Sequence, residues 1–353
     1  MVKDLEVSQA FNAFQAFVLD CKLAWTREVF PALRAEYDRS GPARTAGEAR
    51  TMLQDNATAQ YFGWFERHLQ RMKYSGRHGL APHFQAQQAQ LAAELQAGAQ
   101  SDLLDLDPDF EQPGYYTAVD IHQHPGGVWG EEVAGYVYER GARSTTPLLG
   151  QDADLHHRFT REVLARAPGA RSLVDMGCGF GKSTRPFYAQ HRDLDVVGIE
   201  LSAPCLKLAA RTAEAEQARN IKYRQADAAE TGLDTGGYDV VTSTMLLHEM
   251  PPSHIERVLR EAHRLLSPGG MSIHLDFLTD SDPFRRYIHE GHADRNNEPF
   301  MPKLNEMDLA GAHRRAGFEA VEIVPFEEMA GTLDPAFANW RFPWAMVIAR
   351  KAA

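Results

Sequence analysis

The stretch Ser172-Leu173-Val174-Asp175-Met176-Gly177-Cys178-Gly179-Phe180-Gly181 joins a short apolar run to a glycine-rich turn. A run of this length that ends in a turn reads as a strand buried on both faces, and glycines just after it let the backbone approach a ligand where the next helix begins. Outward from this point, residues after about 150 alternate short apolar runs with helical segments, the pattern of βαβ units on a parallel sheet. The runs are Ser172 to Met176, Val196 to Glu200, Ile221 to Arg224, Tyr238 to Ser243 and Met271 to Phe277. Two further runs, Ala320 to Val324 and Trp344 to Arg350, have no helix between them and are expected to pair antiparallel at the sheet edge. Before the fifth strand, Ser253 and Glu256 predict a capping box, Ile255, Val258, Leu259, Ala262 and Leu266 the buried helix face, and Pro268-Gly269-Gly270 the helix end.

Toward the N-terminus the period changes. Phe11, Phe14, Val18, Cys21, Trp25, Val29 and Leu33 recur at helical spacing between Ser8 and Arg39, and Ser40-Gly41-Pro42 breaks the run. A second stripe, Tyr61, Phe62, Trp64, Phe65, Leu69 and Met72, reads as core, and Phe84 to Gln100 as a third helix. Acidic, proline-containing sequence from Asp105 to Gly114 reads as a connector. With 353 residues, two domains are expected: a helical N-terminal domain and connector over 1–150, and an α/β domain over 151–353.

Composition narrows the function. A formal net charge of −11 disfavours nucleic acid and anionic lipid and favours a small-molecule substrate. Cys21, Cys178 and Cys205 lack CxxC spacing, so neither a disulfide framework nor a structural zinc site is expected. No apolar run approaches the ~18 residues of a membrane span, and Met1-Val2-Lys3-Asp4-Leu5-Glu6 lacks the order of a signal peptide, which predicts a cytoplasmic protein.

The spacing of the turn is G-x-G-x-G, with Lys182 where a dinucleotide fingerprint places its last glycine. Asp175, two residues before the first glycine, repels a diphosphate but attracts an ammonium directly or through water; S-adenosylmethionine carries an ammonium and a sulfonium and no phosphate. Glu200, at the end of the second strand, can accept both ribose hydroxyls, and Asp227, past the third, the adenine amino group. Three acids on successive strand ends make the expected cofactor S-adenosylmethionine. Its expected cradle is Asp175, Gly177, Cys178, Gly179 and Gly181, with Glu200, Leu201, Asp227, Ala228 and Thr244 at the neighbouring strand ends.

On these motifs, together with Leu265-Leu266-Ser267-Pro268-Gly269-Gly270 before the fifth strand, the chain resembles the class I S-adenosylmethionine-dependent methyltransferases over about residues 150–353. The resemblance implies an α/β fold with a seven-stranded, mostly parallel Rossmann-like sheet containing one antiparallel strand, and the cofactor across the C-terminal strand ends.

Methyl transfer to a hydroxyl needs a base near the fourth strand. His248, followed by Glu249, lies just beyond it and resembles the base histidine of plant-type small-molecule O-methyltransferases, although the N-terminal half lacks their winged helix. A packing or substrate hydrogen-bonding role is the alternative. In Asp120-Ile121-His122-Gln123-His124, the two histidines share a side if the backbone is extended; His124 is a further catalytic candidate and His122 a substrate contact, and no third ligand suggests a metal. Tyr136, Tyr138 and Arg140 are expected lid and substrate residues. Asp276 to Gly317 reads as a long substrate-recognising loop, polar with Arg285, Tyr287, His289, His292, Asn296, Asn297 and Glu298, of which Asn297 is the expected contact. The fourth strand continues as Ser243-Thr244-Met245-Leu246, without the Asn/Asp-Pro-Pro-aromatic motif of nucleic-acid amino methyltransferases. The expected activity is methyl transfer to oxygen of a small polar metabolite, with nitrogen or thioether sulfur as runner-up. A non-catalytic cofactor-binding protein and an aminopropyl transferase remain from other classes. The N-terminal helices are expected to cap the substrate cavity and could mediate a homodimer.

Overall fold

The computed structural model describes residues 7–98, 101–145, 155–279 and 282–353. The expected boundary at 150/151, the first six residues and the last two of the third expected helix lie outside these.

The sheet has eight strands: β1 Leu104–Asp105, β2 Ser172–Met176, β3 Asp195–Glu200, β4 Ile221–Gln225, β5 Tyr238–Thr244, β6 Leu266–Phe277, β7 Ala320–Pro325 and β8 Trp344–Arg350. Their order is β1-β4-β3-β2-β5-β6-β8-β7. Every neighbouring pair is parallel except β6 with β8 and β7 with β8, so β8 alone runs against the rest. The predicted antiparallel pairing of the last two runs is found, with β7 at the edge and β8 between it and β6. The eighth strand is the departure from the expected seven: Leu104 and Asp105, at the start of the stretch read as a connector from Asp105, pair with Tyr223 and Arg224 at the opposite edge. Two residues are too few to carry a period-two signal.

Helices cover both faces, which is why the central strands are buried along most of their length rather than alternating between buried and exposed. In the N-terminal region these are α1 Gln9–Ala24, α2 Phe30–Ser40, α3 Ala46–Leu53, α4 Ala57–Tyr74, α5 Leu80–Gln85, α6 Gln88–Gly98, α7 Gly114–Thr117 and α8 Ala134–Ala142. A π-turn, Trp25–Val29, joins α1 to α2 into the continuous helix expected from Ser8 to Arg39. The single helix expected from Phe84 is two, α5 and α6, separated by a turn at Ala86–Gln87. In the second stripe Phe62 and Leu69 are core, but Tyr61 and Trp64 are exposed and stack on one another at the surface.

The following helices are α9 Leu155–Arg166, α10 Arg185–Gln190, α11 Ala203–Ala215, α12 Pro252–Leu265, α13 Pro283–Asn296, α14 Met301–Glu306 and α15 Leu309–Arg315. Three expectations fail here. The predicted capping box does not form, because Pro251 is the N-cap and Ser253 already lies in the first turn; the helix gives way to β6 at Leu266, before Pro268. The stretch from Asp276 to Gly317 is largely helical, with α13 started by Asp282, whose carboxylate accepts from the amides of Phe284 and Arg285.

One apolar core runs from Trp25, Leu33 and Phe62 through to Leu173, Phe187, Ile273 and Trp344, joining the N-terminal helices to the sheet. Helix α13 packs against α3 and α4, and Arg34 pairs with Asp282 at 2.8 Å across the same seam. No helix among the described residues is long and apolar enough to cross a membrane.

Candidate active site

The C-terminal ends of β2, β3, β4 and β5 converge on two adjoining clefts that share Tyr138, Gly177, Gly179, Thr244, Met245 and Glu249. Between β2 and α10 the chain turns on glycines in the left-handed region. Gly177 has φ +68°, and a Cβ there would lie 2.6 Å from Leu246 Cδ1. At Gly181, φ +84°, a Cβ would meet the Tyr223 hydroxyl at 2.9 Å. The first glycine thus keeps the turn at the cleft, and the last packs it against the neighbouring elements.

The first cleft is the acidic one, with Glu200, Leu201, Asp227 and Ala228 in its wall. Glu200 accepts the Gly179 amide on Oε2 and the Ser202 amide on Oε1, both at 2.9 Å, leaving each oxygen further acceptor capacity. Burial lifts this carboxyl to about 7, outweighing those amide donors. Asp227 accepts from His254 Nε2 at 2.9 Å and the Ala229 amide at 2.8 Å, both on Oδ1. Burial opposes its charge, but these donors hold the carboxyl below its ordinary range. Thr244 Oγ1 is buried, borders both clefts and has no hydrogen-bond partner among the described residues.

Asp175 is placed differently from the expectation of a ligand-facing acid. Its carboxylate is wholly buried and accepts from the hydroxyls of Ser183 at 2.9 Å, Thr184 at 2.7 Å and Thr242 at 3.2 Å. Burial lifts it to about 6 against the pull of these three donors. It ties the glycine turn to α10 and β5 and does not line either cleft.

The second cleft holds the titratable groups. Met245, at φ 57°, reverses the chain after β5 and starts a 3-10 turn, Leu247–Glu249. This turn buries His248 with its Nδ1 2.6 Å from Asp276 Oδ1 on β6. Burial disfavours the imidazolium, but Asp276 outweighs it and raises His248 above its ordinary value. Nε2 has no hydrogen-bond partner among the described residues. Beside it, His122 sits between two carboxylates, Nε2 3.0 Å from Glu249 Oε1 and Nδ1 3.0 Å from Glu298 Oε1. Burial again opposes the charge, and Glu298 and Glu249 overcome it, raising His122 well above its ordinary value. With an acceptor on each nitrogen, His122 is an imidazolium.

Of the residues singled out in the sequence, Gly177, Cys178, Gly179, Glu200, Leu201, Asp227, Ala228, Thr244, Tyr138, His122, His248 and Glu249 border the clefts. Asp175, Gly181, His124, Tyr136, Arg140 and Asn297 do not. His122 and His124 share no side, because His122 and Gln123 are left-handed rather than extended; His124 stacks on Tyr74 with ring centroids 5.2 Å apart. The Tyr136 hydroxyl accepts from Arg211, and its ring packs on Phe84 in a separate core. Asn297 caps α13 in the left-handed region and donates to the Asp120 carbonyl, while its neighbours Asn296 and Glu298 face the cleft. Sequence reading missed Asp276, Phe277, Lys22 and Gln70. Asp276 had a signal: Ser272, His274 and Asp276 are three polar residues in a strand buried on both faces.

Residues 173–270 match the family model described as a methyltransferase domain. An uncharacterized methyltransferase of Synechocystis is 31% identical over 38% of this chain and 60% of its own length. The ubiquinone biosynthesis O-methyltransferase of Acinetobacter baylyi is 32% identical over 33% of this chain and 47% of its own. The chain thus spans less than two thirds of the length of these curated relatives. Among solved structures, Haemonchus contortus phosphoethanolamine N-methyltransferase 2 in complex with S-adenosyl-L-methionine has a TM-score of 0.47 at 17% identity, covering 69% of this chain and 61% of that one. The matched residues, the sheet order and the glycine turn together identify a methyltransferase domain of the class I, Rossmann-like, S-adenosylmethionine-dependent type.

Proposed function

We propose that this protein transfers a methyl group from S-adenosylmethionine to an oxygen of a small polar acceptor, with His248 as general base and Asp276 as its positioning residue. The observation that carries this reading is the buried His248–Asp276 pair opening on the cleft that the glycine turn also borders. The cleft residues fit the donor chemically. Glu200 keeps acceptor capacity for the ribose hydroxyls, Asp227 keeps Oδ2 for the adenine amino group, and Thr244, whose buried hydroxyl has no partner among the described residues, borders both clefts. An acidic wall also favours a sulfonium over a phosphate-bearing nucleotide. When bound, S-adenosylmethionine supplies a methyl carbon made electrophilic by its sulfonium.

The protein's own part is positional and protonic. Asp276 accepts from His248 Nδ1–H, which fixes the tautomer and leaves the Nε2 lone pair free to take a hydroxyl proton. The same carboxylate then stabilises the imidazolium. The N-terminal helices bring Lys22, Gln70 and Tyr74 into the wall of this cleft, and we assign them the role of a cap that shields the reacting groups from water. The test is incubation of the protein with methyl-labelled S-adenosylmethionine and a panel of hydroxylated metabolites. Label on oxygen, lost in His248→Gln while S-adenosylhomocysteine still binds, is the expected result. Full turnover by His248→Gln, with label on nitrogen or sulfur, would replace the reading, since those acceptors need no base.

A further inference from the structure

The cleft that holds His248 continues into a side chamber walled by Trp25, Leu69 and Trp340, and the two share Lys22, Gln70, Thr145, His292 and Asn296. Lys22 reaches this junction from α1. Its Nζ donates to Gln70 Oε1 at 3.1 Å and to the Ser144 carbonyl at 3.2 Å, both neutral acceptors, and it forms no ion pair among the described residues. The nearby acid, Glu66, is engaged by His292 Nδ1 and Arg295 Nε. A second lysine, Lys73, lies close by, almost wholly buried; its Nζ donates to the Gly141 carbonyl at 3.3 Å and lies over the face of Tyr74. Burial, and then the charge of Lys22, hold Lys73 well below its ordinary value against the pull of Glu298, as expected for amines brought together in a protein interior. Burial draws Lys22 down to about 8, partly offset by Glu66, so it remains cationic at neutral pH.

The cleft that Lys22 and His248 share also has an aromatic wall. Phe277 and Phe342 both border the cleft and stack on each other with centroids 4.2 Å apart and planes 20° apart, and Phe277 also lies 4.8 Å from the His248 ring. Such a wall suits a flat ring, and a compact ammonium flanked by an amide suits a carboxylate, which brings one negative charge, better than a phosphate dianion.

We infer that the acceptor is an aromatic carboxylate, its ring against Phe277 and Phe342 and its carboxylate anchored by Lys22, which makes Lys22 a specificity-determining residue supplied by the N-terminal region. The inference rests on the proposed use of this cleft for the methyl acceptor, but its test does not require turnover. Trp25 and Trp340 line the side chamber, so tryptophan fluorescence reads occupancy there. The protein with S-adenosylhomocysteine is titrated with 2-, 3- and 4-methoxybenzoate and with their methyl esters, none of which offers a phenolic hydroxyl. At least one acid is expected to bind ten or more times tighter than its ester. Lys22→Met should remove that preference, leave ester and S-adenosylhomocysteine affinities unchanged, and be largely rescued by Lys22→Arg. Binding of no acid to the wild type, equal affinity for acid and ester, or an undiminished preference in Lys22→Met overturns the anchor. Lys22-dependent binding without methyl transfer to any hydroxybenzoate leaves the anchor standing and removes oxygen transfer; transfer to neutral phenols that is indifferent to Lys22 does the reverse.

Discussion

His248 Nδ1 and Asp276 Oδ1 lie 2.6 Å apart between the turn after β5 and the end of β6, and both side chains are closed to solvent. Asp276 also accepts the amides of Leu247 and Phe277 at 2.7 Å, so one carboxylate fixes the turn, the strand end and the imidazole. Because His248 is raised above its ordinary value, the basic form prevails only above that raised value. Turnover should therefore climb with pH and level off above the usual histidine range of about 6.5. His248→Gln is expected to lower kcat by about 10²–10⁴-fold and abolish the acid limb. A pH profile of kcat for both proteins checks this, and an unchanged limb in the variant would remove the base assignment.

Glu200 supplies a second pH dependence. Its carboxyl is raised to about 7 in the folded protein, so its contribution to stability is complete below the unfolded value near 4.5 and is lost as pH rises through about 7. Ribose hydroxyls donate to the ionised form, so S-adenosylhomocysteine should bind more tightly as pH rises from about 5 to about 8. Glu200→Gln removes the charge but keeps an acceptor. It is expected to weaken binding about 10-fold or more and flatten the pH dependence, the loss of a hydrogen bond to a charged group being worth about 1.5–3 kcal/mol. Calorimetric titration at both pH values decides the matter.

Gly177→Ala tests the cradle. The residue sits at φ +68°, and the added Cβ would fall 2.6 Å from a terminal methyl of Leu246. Leu246 can rotate away, but the backbone conformation remains unfavourable for alanine, at about 1–3 kcal/mol. Since this turn borders both clefts, relaxation of the strain moves cleft-lining backbone. A lower Tm together with weaker S-adenosylhomocysteine binding is expected; an unaltered Tm would show that the turn tolerates a side chain.

What the sequence made legible divides along the range of the interactions. Strands β2 to β8 show themselves as local apolar runs, and the glycine turn with Glu200 and Asp227 follows from their ends. Features formed by distant partners do not. Asp276 meets His248 across 28 positions, and Glu298 meets His122 across 176. Asn296 and Glu298 rather than Asn297 face the cleft because α13 ends there in a left-handed cap, a fact of backbone geometry that a polar count over 276–317 does not carry. Tyr136 and Tyr138 show the same limit: one helix sends the first into core beside α11 and the second into the cleft. The α13 start itself was readable, since Asp282-Pro283 is an N-cap followed by proline at the first helical position.

The Glu298–His122 pair offers a prediction whose slope with pH has opposite signs on either side of neutrality. Glu298 is buried; burial opposes its charge, but His122 prevails and holds the carboxyl below its ordinary value of 4.5, while His122 is held above 6.5. A depressed carboxyl contributes stability that is complete above about 4.5 and drains away as pH falls toward the lowered value. A raised histidine contributes stability that is complete below about 6.5 and drains away as pH rises through the raised value. Glu298→Gln retains an oxygen acceptor for His122 Nδ1–H but leaves the imidazolium without one of its two counter-ions. Removing one partner from a buried pair costs about 3–5 kcal/mol, and Glu249 remains to soften the loss, so about 2–3 kcal/mol is expected near pH 5.5. The difference from the wild type should shrink as pH falls below about 4.5 toward about 2, where the folded carboxyl takes a proton, and as pH rises above about 6.5 toward about 10, where the folded imidazole loses one. Urea denaturation of both proteins at the three pH values measures it, and a gap of the same size at all three would show that the pair acts through packing rather than charge.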